Sequence, residues 1–126
     1  MSKEIINTSN APAPIGPYSQ AIKTGNMLFI SGQIAFKPGS SELAINDITE
    51  ETHQVMQNLK AILAEASMNF NQVVKATIFL SDMELFGQVN EIYGKYFEGE
   101  FPARETVAVK GLPKNVNVEI SMIAVI

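Results

Sequence analysis

The chain has 126 residues, a formal net charge of −4 from nine basic against thirteen acidic side chains, 46% apolar residues and no cysteine. That length suits one domain over residues 1–126 with a core that needs no disulfides; the missing thiols exclude cysteine nucleophiles, redox couples and cysteine-ligated zinc or iron–sulfur centres. The single histidine, His53, rules out a histidine-rich metal site, and the scattered lysines, with no run of three basic residues, form no stripe for nucleic acid.

Glu4-Ile5-Ile6 reads as a short edge strand. Asn10 to Pro17, with Pro12, Pro14, Gly16 and Pro17, reads as a loop. Tyr18 to Lys23 and Met27 to Ile34 form a hairpin across Thr24-Gly25-Asn26. In the second of these strands Leu28, Ile30, Gly32 and Ile34 alternate with Met27, Phe29, Ser31 and Gln33; both faces are fairly apolar, so the strand is expected inside a sheet. Lys37-Pro38-Gly39-Ser40-Ser41 ends it in a loop. Asp47 followed by Glu50 has the spacing of a reciprocal helix cap. A helix then runs to about Ala66, with Val55, Met56, Leu59, Ile62, Leu63 and Ala66 as its apolar stripe.

Val73 to Leu80 is a strand rich in β-branched residues. Ser81 and Glu84 read as a capping box for a second helix to about Phe97, striped by Phe86, Val89, Tyr93 and Phe97. Arg104 to Val109 and Val116 to Val125 are strands either side of a turn at Gly111 to Asn115, and the two could pair as a hairpin. The order β-β-β-α-β-α-β-β predicts an α+β fold: one mixed sheet with both helices on one face. The other face would carry Phe29 and Val107, and a bare apolar sheet face is usually hidden by oligomerisation. No apolar run approaches a membrane span, and Met1-Ser2-Lys3-Glu4 opens no signal segment, so the expected address is cytoplasmic with no membrane partner.

Two polar residues stand out. Arg104 is the only arginine. Its planar fork suits a small carboxylate; the alternative is a structural salt bridge, within the chain or to a subunit neighbour. Glu119 sits in Val-Glu-Ile-Ser-Met-Ile-Ala-Val-Ile with Asn117, Ser121 and Ile123 as face-mates, so it must meet solvent, a partner or a pocket. Burial would raise its pKa toward the range useful for proton transfer. Tyr18 is either packed or a ligand contact. Gly32 beside Ser31 allows close approach of a backbone or ligand. Asn90 is a helix-face polar residue or a ligand contact. His53 reads as a surface helix residue too remote for a Ser31–histidine triad. No phosphate-binding glycine motif exists.

Ile15-Gly16-Pro17-Tyr18-Ser19-Gln20-Ala21, Phe29-Ile30-Ser31-Gly32-Gln33, Gln57-Asn58-Leu59-Lys60, Val89-Asn90-Glu91-Ile92-Tyr93, Phe101-Pro102-Ala103-Arg104, Leu112-Pro113-Lys114 and Val118-Glu119-Ile120 come in order along the chain. Together they resemble the reactive-intermediate deaminase family, the RidA or YjgF/YER057c/UK114 family, over nearly its whole length. The resemblance implies a chorismate-mutase-like fold, a homotrimer with three inter-subunit clefts, and hydrolysis of 2-iminoacids or their enamine tautomers to 2-oxoacids and ammonia. It implies Arg104 as the carboxylate holder and Glu119 as the group that positions and activates water. Tyr18, Ser31, Gly32, Asn90 and Thr106 would shape the cleft. It implies no cofactor and no metal. Glu105 and Thr106 depart from the family pattern, which often has a small residue and a cysteine there; the threonine keeps a hydroxyl. The competing readings are a trimeric ligand-binding or regulatory protein without significant turnover, and an RNA-cleaving or translation-inhibiting activity attributed to relatives, which the acidic balance and the lack of a basic stripe oppose.

Overall fold

The computed structural model describes residues 2–126. Six strands and two helices follow the predicted order: β1 (Glu4–Ile6), β2 (Ala21–Thr24), β3 (Met27–Gln33), α1 (Ile48–Glu65), β4 (Val73–Leu80), α2 (Phe86–Gly94), β5 (Ala103–Ala108) and β6 (Val118–Val125). The strands form one mixed sheet in the order β1-β2-β3-β6-β4-β5. All pairs are antiparallel except β4 with β5. The expected α+β fold with one mixed sheet is therefore what forms, and β3 is an interior strand between β2 and β6.

The expected hairpin between the last two strands does not form. The α2 crossover brings β5 in parallel to β4, at the sheet edge. β6 enters on the other side of β4, between it and β3. The connection steps over the end of β4: Val109 N donates to Leu80 O and Ser81 N to Asn117 O, both at 2.9 Å.

The Asp47 side chain caps α1, its Oδ1 accepting from Glu50 N at 2.7 Å. Ser67, in the left-handed region at φ 59°, closes the other end. All six residues of the predicted stripe are buried, and they pack on Leu28, Ile30, Ala76, Ile78, Leu80, Val118, Ile120, Met122 and Ala124 from the sheet. These strand residues alternate with partly exposed ones, so one sheet face makes the core and the other stays bare. Phe29 and Val107 are exposed on the bare face as expected, at 41% and 47%.

Several boundaries move. The β2 strand starts at Ala21, so Tyr18 lies in the loop before it, where Tyr18 N turns back to Gly16 O at 2.8 Å. Asp82, not Ser81, caps the turn after β4: its Oδ1 accepts from Glu84 N at 2.9 Å and starts a single 3₁₀ turn, Met83–Leu85. The α2 helix ends at Gly94, although Phe97 still packs in the core. His53 is half-buried and shares a 2.9 Å hydrogen bond with the Tyr96 hydroxyl, rather than lying free on the surface. Among the described residues no helix is long and apolar enough to cross a membrane.

Candidate functional site

Glu119 projects from the bare face of β6, opposite Phe79 of β4. Its other neighbour is β3, where the register slips: Ile30 pairs with Met122 and Gln33 with Ile120, three steps against two. The extra residue is a β-bulge at Ser31–Gly32. It also reverses the predicted alternation, burying Gln33. A Cβ on Gly32 would stand 2.7 Å from Glu119 Oε2 and 2.8 Å from its Cδ. The glycine therefore leaves the space that the carboxylate occupies. Burial holds the Glu119 pKa above its ordinary 4.5. The carboxylate opens onto a cavity of about 350 Å³ lined by Tyr18, Ser31, Gly32 and an apolar wall that includes Ile15 and Phe36.

The loop bearing Tyr18 is held from below. Gln20 is buried; its Oε1 accepts from Thr8 N at 2.7 Å, and its Nε2 donates to Thr8 O at 3.0 Å and Pro12 O at 2.9 Å. The Tyr18 hydroxyl accepts from Ile15 N at 3.3 Å. Ser31 Oγ donates to Ser19 O at 2.6 Å, which ties bulge to loop and engages the hydroxyl proton.

Arg104 lies elsewhere. It pairs with Ala76 on the helix-covered face, at the β5 edge. Its guanidinium sits 5.4 Å from the Phe86 ring centroid and 5.2 Å from that of Tyr93, and Nη1 donates to Asn90 Oδ1. Two aromatic faces and one amide thus aim the fork. It borders a cavity of about 310 Å³ between α2 and the Phe101-Pro102 segment. The Tyr93 hydroxyl and Thr106 Oγ1 are buried without a hydrogen-bond partner among the described residues. Burial pushes the Tyr93 phenol up to about 12, with the Arg104 charge pulling the other way. Glu105 points to the bare face and pairs with Lys75 at 3.2 Å.

Within one chain, then, these polar residues form two separate groups. Ala76 and Phe79 mark Arg104 and Glu119 as three residues apart along β4 and two strands apart across it, roughly 10 Å in each direction, on opposite faces.

Residues 8–126 match the family model described as Endoribonuclease L-PSP. This chain belongs to the RidA family. It is 52% identical to a RutC family protein of Pyrococcus horikoshii, with 97% of each chain covered. It is 47% identical to a mouse protein named 2-iminobutanoate/2-iminopropanoate deaminase, covering 98% of this chain and 91% of that one. The crystal structure of Escherichia coli TdcF with bound serine is 37% identical, with a TM-score of 0.93 over 98% of each chain.

One residue of this RidA-family chain that sequence reasoning missed is Glu51. It is fully buried and accepts from Asn117 N at 2.7 Å, Asn117 Nδ2 at 2.8 Å and Val118 N at 3.1 Å. It anchors the start of β6 one residue before Glu119. A signal existed: Glu51 lies four residues before Val55 and eight before Leu59, on the apolar stripe of α1. Asn58 does similar work, donating to Ile34 O at 3.1 Å and Phe36 O at 3.0 Å behind the bulge. No group of three or more histidine, cysteine, aspartate or glutamate side chains among the described residues could hold a metal ion.

Proposed function

We propose that the chain hydrolyses 2-iminoacids and their enamine tautomers, such as 2-iminopropanoate with 2-aminoacrylate, and 2-iminobutanoate, to 2-oxoacids and ammonia. The reading rests on a raised, half-buried carboxylate facing a cavity, with a sole arginine aimed by aromatic faces, in a family that contains a protein named for this reaction. Because Arg104 and Glu119 face opposite ways, the complete cleft is formed between neighbouring copies of a cytoplasmic homotrimer. Arg104 with Asn90 and Thr106 comes from one copy; Glu119 with Tyr18, Ser31 and Gly32 comes from the next. The apolar bare face is the surface that assembly would bury.

The chemistry asks little of the protein. A protonated imine carbon is electrophilic without further polarisation. Arg104 grips the carboxylate through its fork and fixes the imine carbon. Glu119 accepts a proton from water as the water oxygen bonds to that carbon, giving a tetrahedral aminoalcohol. It then returns the proton to nitrogen. The C–N bond breaks, the hydroxyl gives its proton to the now ionised Glu119 as the carbonyl forms, and ammonia and a 2-oxoacid leave, Glu119 then releasing that proton to solvent.

The test is a coupled assay in which a dehydratase generates 2-aminoacrylate or 2-iminobutanoate, with calorimetry of 2-oxobutanoate on the same preparations. Arg104→Lys keeps charge but loses the fork, so binding and turnover should both fall, about tenfold to a hundredfold. Glu119→Gln should keep most of the 2-oxoacid affinity and lose roughly 10²–10⁴ in rate. Wild-type turnover in folded Glu119→Gln would remove Glu119 from proton transfer. Unchanged binding by Arg104→Lys would move the carboxylate elsewhere. Tight 2-oxoacid binding with no ammonia released by the wild type would favour a regulatory binder.

A further inference from the structure

We infer that the cleft continues into an outer groove whose rim, at Lys114, receives a second carboxylate, so that 2-iminoacids with an acidic group at the end of a methylene side chain are preferred substrates. This rests on the proposed imine hydrolysis and deepens it. The cavity beside Glu119 adjoins another of about 580 Å³, and Pro12, Ala13, Ile15 and Phe36 line both. Clefts of a few hundred Å³ suit ligands of drug size, well beyond a four-carbon iminoacid. The groove changes character along its length. Near Glu119 and through the shared wall it is apolar, which suits methylenes. At the outer end stand Lys114, Ser40 and Ser41.

The Lys114 backbone gives the second observation. Lys114 and Asn115 are consecutive non-glycine residues in the left-handed region, at φ 58° and 56°. Such a conformation costs free energy at a lysine, and it persists where surrounding structure fixes it. Here Pro113 and the anchored start of β6 flank it. The ammonium has no carboxylate within ion-pair distance among the described residues, whose ion pairs are Lys37 with Glu42 and Lys75 with Glu105. A strained, unpaired cation therefore stands at the rim of an apolar groove leading to the reacting carboxylate. A single ammonium, acting as a point charge without a fork, suits one carboxylate better than a phosphate.

Calorimetry on the full chain, with five-, six- and seven-carbon 2-oxodicarboxylates against 2-oxomonocarboxylates of equal length and 2-oxobutanoate, tests this. At least one diacid should bind about tenfold tighter than its monoacid, with an optimum in chain length. Lys114→Gly removes the charge at a backbone position glycine favours, so it should fold and melt at or above the wild-type temperature. Its ratio of diacid to 2-oxobutanoate affinity should fall about tenfold; Lys114→Arg should keep that ratio. Equal binding of diacids and monoacids by the wild type, or an unchanged ratio in Lys114→Gly, would overturn the groove inference. If 2-oxobutanoate is still bound and 2-iminobutanoate still hydrolysed, the hydrolase reading survives that loss. Failure of both of these reactions would overturn the two together.

Discussion

Glu119 is held above its ordinary pKa by burial, so the folded state favours its protonated form. A carboxyl with a raised folded pKa adds stability below its unfolded pKa and loses it as pH rises through the folded value. Glu119→Gln cannot ionise, so its melting temperature should gain on the wild type as pH is raised from 4 to 7, a gap thermal scans at both pH values would reveal. Activity runs the other way. As the proposed base, Glu119 must be ionised, so kcat/KM should fall as pH drops through a midpoint above 4.5, and a limb at or below that value would contradict the proposal. Gly32→Ala would place a methyl carbon 2.7 Å from Glu119 Oε2 and displace the carboxylate. About a tenfold or greater loss of turnover with an unchanged circular dichroism spectrum is expected. Glu51→Ala orphans two backbone donors and the Asn117 amide at the buried start of β6, and should cost about 3 kcal/mol or more in urea denaturation. Arg104 and Glu119 stood out in the sequence as a lone arginine and a carboxylate amid apolar strand residues, but each also had an ordinary structural use, a salt bridge or a solvated strand position, and only the family motifs separated the readings. Glu51 did not stand out, because an acidic residue in a first helical turn is ordinarily explained by the helix dipole.

The elements show the same division. Stripes and alternation located all six strands and both helices, since burial of one face acts on every residue of an element. Pairing was less legible. Nothing in the composition of β5 or β6 says that β6 steps over β4; that choice is made by the α2 crossover and by the hydrogen bonds of Ser81 and Val109 at the strand end. The bulge was also hidden, because Ser31-Gly32 simply reads as a weak point in an alternating strand until its partner's register is known. Local capping chemistry was half legible: Asp47 caps α1 through one of the two bonds that the reciprocal spacing predicts, so Asp47→Ala should lower stability by about 1 kcal/mol in chemical denaturation. After β4, aspartate one residue on competed with Ser81 and won the cap.

The whole molecule leaves Phe29 and Val107 exposed on one sheet face and separates Arg104 from Glu119 across that sheet. For the homotrimer proposed above, sedimentation equilibrium at micromolar concentration should return three times the 13.8 kDa chain mass. Placing aspartate at both Phe29 and Val107 should yield smaller species without deaminase activity, because each would hold only half-sites. The strand order has a different consequence, felt during synthesis. β6 leaves the ribosome after both strands it must join. Until then β3 and β4 present open edges, and a β1–β2–β3 meander and a β4–α2–β5 unit wait for the piece that joins them. Pairing Met27 with Val125 closes most of the chain into one loop, so the decisive contact is both late and long-range. Such topology folds slowly, and the nascent protein is most open to misassociation just before its central strand emerges.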